Sequence, residues 1–224
     1  MSDTFVHTRT QKIGQFFSPA AFINDSDADI YQLEQLIKEY HIGGLTFFHS
    51  RASTATNFES KKQVIINTES KQRLAELIQH FQRIAPTPLL ISIDAEWGLA
   101  MRVENTPQYP YPITMGTLPD THTALITEVG KQTGHDLATM GIHLNLAPVA
   151  DINTNPNNPV IGYRSFGAER ENVTQKALAY YQGLTETGIL GCFKHFPGHG
   201  DTSIDSHLGL PIICLLYTSD AADD

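Results

Sequence analysis

The segment from Lys194 to His207 contains most of the side chains in this sequence that could do chemistry. It brings together one lysine, three histidines and two aspartates directly after the apolar run 189–193. Asp205 and His207 are two residues apart, a spacing that allows a carboxylate–imidazole pair. In such a pair the carboxylate fixes the ring tautomer and raises its proton affinity, which suits proton transfer. Because α/β proteins place their chemistry where buried strands end, this pattern predicts an active-site loop.

The composition excludes several classes of protein. The 224 residues carry a formal net charge of −9, which argues against nucleic acid as a partner, since phosphate binding needs clustered Lys and Arg. There is no apolar run of the length that a membrane span needs, and the N-terminus lacks the apolar region of a signal peptide. Cys192 and Cys214 do not make a disulfide framework. We therefore expect a cytoplasmic protein, with a periplasmic or exported location left open if the true N-terminus lies upstream.

The last eleven residues, 214–224, need a separate interpretation. They read CLLYTSDAADD, which matches one reading frame of a common transposase-type sequencing-library adapter. We therefore expect the native sequence to stop near Ile213 and exclude the adapter-derived tail from reasoning about the fold. The alternative is a natural acidic tail.

Apolar runs alternate with helical patterns along the chain. Apolar residues at helical spacing predict helices, and short apolar runs between them predict buried strands. The predicted helices cover 26–40, 74–81, 123–140 and 173–184. The predicted strands cover 44–48, 88–93, 142–149 and 189–193, after a first apolar stretch over 13–23. Loops are predicted over 51–68, 104–121 and 153–167 from their polar or proline-rich composition, and Gly43 and Gly44 are predicted to stop the first helix.

Strands that alternate with helices predict βαβ units and a parallel sheet, so the fold class is α/β. Polar residues follow the predicted strand ends: His49, Asp94, Asp151 and the Lys194–His195 pair. This layout predicts a (β/α)8 barrel of the TIM type, with its reacting groups at the carboxyl face. An open doubly wound sheet is the alternative, weakened because no Gly-x-Gly-x-x-Gly loop follows the first strand. Since five strands cannot close this barrel, we expect 1–213 to be the N-terminal part of the domain, roughly strands one to five.

Three ordered motifs make the sequence resemble glycoside hydrolase family 3, in its β-N-acetylglucosaminidase branch. The motifs are KHFPGHG at 194–200 followed by DSH at 205–207, DAEWG at 94–98 with Arg102, and NPNNPVIGYRSFG at 155–167. The first is highly specific for that branch, and the resemblance runs from about Gln11 to Pro211. Tyr163 departs from the family pattern, which more often has an acidic or amide residue there. The contact to an outer sugar or peptide next to it is therefore left open.

The resemblance implies a role for each matching side chain. His207 would be the general acid and base, with Asp205 as its partner, since imidazole titrates near neutrality. The sugar next to the cleaved bond would be bound by Asp94, Arg102, Arg164, Lys194 and His195. Carboxylate and guanidinium groups suit the hydroxyls and the acetamide of such a sugar. The resemblance implies neither a metal nor a cofactor.

Each of these residues also has a simpler interpretation. Asp94 and Arg102 could form a surface ion pair of little consequence. Arg164 could clamp its own long loop, and His199 is expected to shape a turn rather than to touch a substrate. A metal could instead be bound by His195, His199, Asp205 and His207, although their separations follow no standard zinc spacing.

The resemblance predicts a retaining exo-β-N-acetylglucosaminidase that acts on muropeptides of the cell wall. A retaining enzyme needs a second carboxylate as nucleophile, which the family places on a later strand, so we expect it to be missing from this chain. A family 3 β-glucosidase and a phosphorylase remain open as alternatives. A prediction of another class is a non-catalytic half-barrel: expressed alone, the chain would aggregate or show no turnover, because its sheet would expose unpaired edges and apolar side chains. The sequence predicts no oligomeric state.

Overall fold

The computed structural model describes residues 8–49 and 66–213. The helices are α1 (Arg9–Gly14), α2 (Asp27–Tyr40), α3 (Ser70–Ile84), α4 (Pro112–Gly116), α5 (Thr123–Thr139) and α6 (Arg170–Glu186). The strands are β1 (Ala20–Phe22), β2 (Gly44–Phe48), β3 (Leu90–Ile93), β4 (Leu144–Asn145) and β5 (Leu190–Gly191). Most of the predicted loop over 51–68 and the predicted tail over 214–224 lie outside the described residues. No helix in the described ranges is long and apolar enough to cross a membrane.

The five strands form one parallel sheet in the order β1-β2-β3-β4-β5. Each strand therefore pairs with the next one along the chain, as in the register Leu45 with Ile91 and Ile93 with Asn145. A doubly wound sheet reverses its strand order at a switch point, and this sheet has no such reversal. The α/β prediction and the order expected for consecutive units of a (β/α)8 barrel are both confirmed, and the doubly wound alternative is wrong.

Helix α2 shows how local sequence sets the ends of an element. The Ser26 side chain accepts from the backbone N–H of Asp29, and the Asp29 carboxylate accepts from the backbone N–H of Ser26, a reciprocal cap of the helix start. Leu33 and Ile37 are the buried residues of the helix, and they face the core. The helix ends at Tyr40, as its predicted range of 26–40 has it, but the residue in the left-handed conformation that ends it is His41, with φ of 53°, and not Gly43 or Gly44.

Other predicted boundaries also need correction, among them that of the last strand, predicted over 189–193 and observed at Leu190–Gly191. The predicted loop over 104–121 contains helix α4, whose first residue is Pro112, a residue type that suits the first turn of a helix. The predicted strand over 142–149 is only two residues long, Leu144–Asn145, and Pro148, which has no N–H to donate, follows it. Pairing with the last strand then resumes in an isolated bridge between Val149 and Lys194. The long loop after β4 and the loop after β5 begin at this bridge.

Candidate functional site

The candidate site lies at the carboxyl ends of β3, β4 and β5, where three loops meet. Asn145, at the end of β4, fixes the first of them. Its side-chain oxygen accepts from the N–H of Ala95 at 3.0 Å, and its Nδ2 donates to the carbonyl of Ala95 at 3.1 Å. Asn145 and Ala95 are both fully buried, so these bonds are protected from water. They place the neighbouring side chains of Asp94 and Glu96 at the sheet edge.

Four side chains from the three loops form an ion-pair network around Lys194. Lys194 Nζ lies 2.8 Å from Asp94 Oδ1 and 2.7 Å from Glu96 Oε1. Arg102 Nη2 donates to the other oxygen of Asp94 at 2.8 Å. Arg164 donates to both oxygens of Glu96, from Nε at 2.9 Å and from Nη2 at 2.7 Å. We call these five residues the charged cluster.

The cations of the cluster keep its two acids ionised. Burial alone would raise the pKa of Asp94, but the charges of Lys194 and Arg102 outweigh it and lower the pKa to about 2. Burial likewise opposes ionisation of Glu96, and Lys194 with Arg164 lowers its pKa to about 2. The buried guanidinium of Arg164 has a raised pKa, since its hydrogen bonds to Glu96 outweigh the loss of water. The cluster therefore presents fixed charges to anything that enters the site.

Asp151 connects the charged cluster to the loop after β5. Its Oδ2 accepts from His195 Nδ1 at 2.6 Å, and its Oδ1 accepts from the backbone N–H of His199 at 2.6 Å. On the other side of the ring, Arg164 Nη2 lies 3.3 Å from His195 Nε2. Because arginine can only donate, this arrangement assigns the hydrogen to Nδ1 and leaves Nε2 of His195 as the acceptor.

Asp205 and His207 form the expected carboxylate–imidazole pair. His207 Nδ1 lies 2.7 Å from Asp205 Oδ1, and the backbone N–H of His207 donates to the same oxygen at 2.9 Å. The His207 side chain is 54% exposed, whereas that of Asp205 is 3% exposed. Burial would raise the pKa of Asp205, but the hydrogen bonds and charge of His207 outweigh it and lower the pKa. The ionised Asp205 orients the ring so that Nε2 of His207 is the nitrogen available for proton transfer.

The loop that carries this pair is held by the long loop after β4. Asn158 Nδ2 donates to the carbonyl of His199 at 2.6 Å and to that of Thr202 at 3.0 Å. The Thr202 hydroxyl lies 2.6 Å from Nδ1 of His199, which is buried. His199 thus stabilises a turn through its contacts with Thr202 and Asn158, as the sequence predicted.

The structure brings the sequence-predicted binding residues Asp94, Arg102, Arg164, Lys194 and His195 into one contact network. His207 and Asp205 pair with each other further along the loop that begins at Lys194. Arg164 also holds its own loop, which was the simpler interpretation of this residue, because its Nη1 donates to the carbonyl of Val160. The Asp94–Arg102 pair is no surface pair, because both side chains are largely buried.

Two members of the network, Glu96 in the DAEWG motif and Asp151 at a strand end, were assigned no binding or catalytic role from the sequence. Glu96 is 1% exposed and contacts two cations, and Asp151 is fully buried beneath His195. Both acids follow a predicted strand, which is the sequence signal that indicates a position in the site. Within 8–49 and 66–213, no group of three or more His, Cys, Asp or Glu is arranged to hold a metal ion.

The arrangement combines two chemical capacities at one edge of the sheet. The charged cluster offers carboxylate acceptors and cationic donors that suit a ligand with several hydroxyls. The Asp205–His207 pair offers an exposed imidazole that can give or take a proton. Groups for binding a polyhydroxylated ligand and for proton transfer are therefore both present, and the loop after β5 contributes to both.

Comparison with known proteins supports the same interpretation. A Pseudoalteromonas piscicida protein named beta-hexosaminidase A is 38% identical to this chain over 183 residues, which are 80% of this chain and 29% of that protein. The structure of a family 3 beta-N-acetylglucosaminidase from a Paenibacillus species matches with a TM-score of 0.75 at 32% identity, covering 96% of this chain and 38% of that one. NagZ from Neisseria gonorrhoeae, in complex with N-trifluoroacetyl-D-glucosamine, matches with a TM-score of 0.70 at 29% identity, covering 92% and 57%.

The chain spans between 29% and 57% of the length of these three proteins. Residues 8–215 match the family model described as the glycosyl hydrolase family 3 N terminal domain. That match covers most of the chain and includes both the charged cluster and the Asp205–His207 pair. The chain therefore belongs to glycosyl hydrolase family 3.

Proposed function

We propose that the protein containing this chain is a glycoside hydrolase that removes terminal β-linked N-acetylglucosamine, with muropeptides derived from peptidoglycan as its substrates. The observation that carries this proposal is the 2.7 Å contact between His207 and Asp205 in the loop that begins at Lys194. A histidine held by a buried carboxylate replaces one of the two carboxyl groups that most glycosidases use. The names of the relatives, beta-hexosaminidase and beta-N-acetylglucosaminidase, support the choice of sugar.

In the proposed reaction, His207 gives a proton from Nε2 to the oxygen of the leaving group. Its Nδ1–H remains bonded to Asp205, so the positive charge of the protonated ring is stabilised before the transfer. After departure of the leaving group, the same nitrogen takes a proton from the attacking water. The 54% exposure of the His207 side chain gives a substrate access to this nitrogen.

The charged cluster would hold the sugar that is transferred. Asp94 accepts hydrogen bonds from sugar hydroxyls, while Lys194 and Arg102 keep it ionised and donate to neighbouring oxygens. Arg164 and His195 supply a second group of polar atoms beside Glu96. Because these side chains are already fixed by one another, little ordering is needed when the sugar binds.

We place the nucleophile outside the described residues. Retention requires a carboxylate that attacks the anomeric carbon from the face opposite the acid. Asp94 and Glu96 are each bound to two cations, which stabilises their negative charge and makes them weak nucleophiles. Asp151 is engaged by His195 and by the backbone of His199.

The test is hydrolysis by the complete protein that contains this chain. We expect release of nitrophenol from 4-nitrophenyl β-N-acetylglucosaminide, with kcat/KM at least 100-fold above that for the matching β-glucoside. Mass analysis with and without added phosphate separates hydrolysis from phosphorolysis. A preference for the glucoside would favour a β-glucosidase, a sugar phosphate product would show a phosphorylase, and no turnover of either substrate would reject the proposal.

A further inference from the structure

Three aromatic side chains form a contiguous rim beside the charged cluster. The ring centroid of Trp97 lies 5.0 Å from that of Tyr111 and 5.9 Å from that of Tyr163. The rings of Tyr111 and Tyr163 are 5.0 Å apart at 66°, an edge-to-face arrangement. Contacts of this geometry are favourable and hold the rings in fixed orientations. We call Trp97, Tyr111 and Tyr163 the aromatic rim.

The rim adjoins the charged cluster at two points. Trp97 directly follows Glu96, and Tyr163 directly precedes Arg164. Consecutive Cα atoms are about 3.8 Å apart, and Arg164 and Glu96 are themselves bonded to each other. The rim therefore borders the site in which we place the transferred sugar.

The three residues of the rim differ in exposure, and two of them are not packed in the core. Trp97 is buried with 7% exposure, but Tyr111 is 37% exposed and Tyr163 is 43% exposed. The rim thus has a buried base and two rings that reach solvent. The nearby Tyr109 provides a contrast, because its hydroxyl donates to Asp136 at 2.8 Å in a structural hydrogen bond.

The backbone before Tyr163 is also unusual. Gly162 has a φ of 43°, in the left-handed region that favours glycine, and a Cβ there would meet no atom within 4 Å. Glycine is thus needed for the backbone conformation and not for close packing. The turn that it allows directly precedes Tyr163, whose ring contacts both other rings of the rim.

A sugar ring has polar edges and apolar C–H faces. The charged cluster can satisfy the hydroxyl edges, whereas the rim offers two partly exposed aromatic rings. Covering such rings with an apolar surface is favourable. We propose that Tyr163 and Tyr111 form a stacking platform for the second sugar ring of the substrate, the one on the leaving side of the cleaved bond. This inference rests on the proposed function and adds the residues that select for an extended glycan.

The experiment measures binding of two ligands to the complete protein by calorimetry. N-Acetylglucosamine fills the charged cluster alone, while the thio-linked analogue of N,N′-diacetylchitobiose also offers a second ring and resists hydrolysis. For Tyr163→Ala we expect the Kd of the disaccharide to rise about fivefold to tenfold, on the scale of one aromatic contact. The Kd of the monosaccharide should change less than twofold. Tyr163→Phe keeps the ring and should bind both ligands like the wild type.

Two further variants keep the test decisive. Tyr31→Ala removes a tyrosine that is 61% exposed on helix α2, outside the proposed platform, and should change neither Kd. Tyr163→Leu keeps apolar bulk without the ring and serves if the alanine variant has a lowered melting temperature. An equal loss for both ligands, or no loss for the disaccharide, would overturn the platform and leave the proposed function standing. A wild type that binds neither ligand would reject the proposed function itself.

Discussion

Arg164 donates two parallel hydrogen bonds to Glu96, at 2.9 and 2.7 Å, across 68 residues of sequence. The planar guanidinium matches both oxygens of the carboxylate, a geometry that lysine cannot provide. Lys194 contacts Glu96 from a third loop. Glu96 therefore joins the loops that follow β3, β4 and β5, and it does so in a buried position. Glu96 is one of the two acids that balance the three cations of the charged cluster.

Glu96→Gln is expected to destabilise the protein. The change leaves Arg164 and Lys194 buried with one counter-charge fewer, and loss of one partner from a buried ion pair costs about 3–5 kcal/mol. The midpoint of denaturation should fall accordingly. The matched control is Glu186→Gln, because Glu186 pairs with Lys131 at 3.4 Å and both side chains are about 40% exposed. We expect a change of about 0–1 kcal/mol for the control. Equal effects of the two substitutions would contradict the central role of Glu96.

The same cluster predicts an acid limit to stability. Asp94 and Glu96 have pKa values near 2 in the folded protein, against ordinary values of 3.8 and 4.5. Between these values the unfolded chain binds more protons than the folded one, so stability falls as the pH falls from about 4.5 to about 2. Melting temperatures of the wild type and Glu96→Gln, measured at pH 6, 4 and 3, would show this. The melting temperature of the variant should fall less steeply with falling pH. A slope identical to that of the wild type would contradict the lowered pKa of Glu96.

Local features of the fold were predictable from the sequence, whereas contacts between distant loops were not. The Ser26–Asp29 cap and the Asp205–His207 pair join residues two or three positions apart, so their spacing alone indicated them. The Arg164–Glu96 pair depends on the register of three parallel strands, which no single segment specifies. The two-residue length of β4 likewise depends on its pairing with β3 and β5, which the segment 142–149 alone does not specify.

Asp151→Asn tests a positioning role for the acid beneath His195. The Asp151 carboxylate accepts from the ring and the backbone of His195 and from the backbone of His199. An amide can accept at one atom only, so a donor would lose its partner. We expect the KM for the sugar substrate to rise about tenfold or more, with a smaller change in kcat. The double variant with His195→Ala should lose less than the sum of the two single losses, since Asp151 acts in part through that ring. Fully additive losses would show an independent role.

His207→Ala tests the proton donor through the choice of leaving group. A sugar or alkyl alcohol leaves only if its oxygen receives a proton, whereas a dinitrophenolate leaves without one. We expect kcat/KM to fall by roughly 10²–10⁴ for sugar leaving groups, the usual contribution of a general acid, and by less than tenfold for the dinitrophenyl glycoside. The ratio kcat/KM is the measure to use, because it reports the glycosylation step even where breakdown of the glycosyl-enzyme limits kcat. Asp205→Asn should produce a smaller loss with the same dependence on the leaving group, since it leaves the imidazole in place but removes the carboxylate that fixes its tautomer. An equal fall for both leaving groups would mean that His207 holds the substrate and does not protonate it.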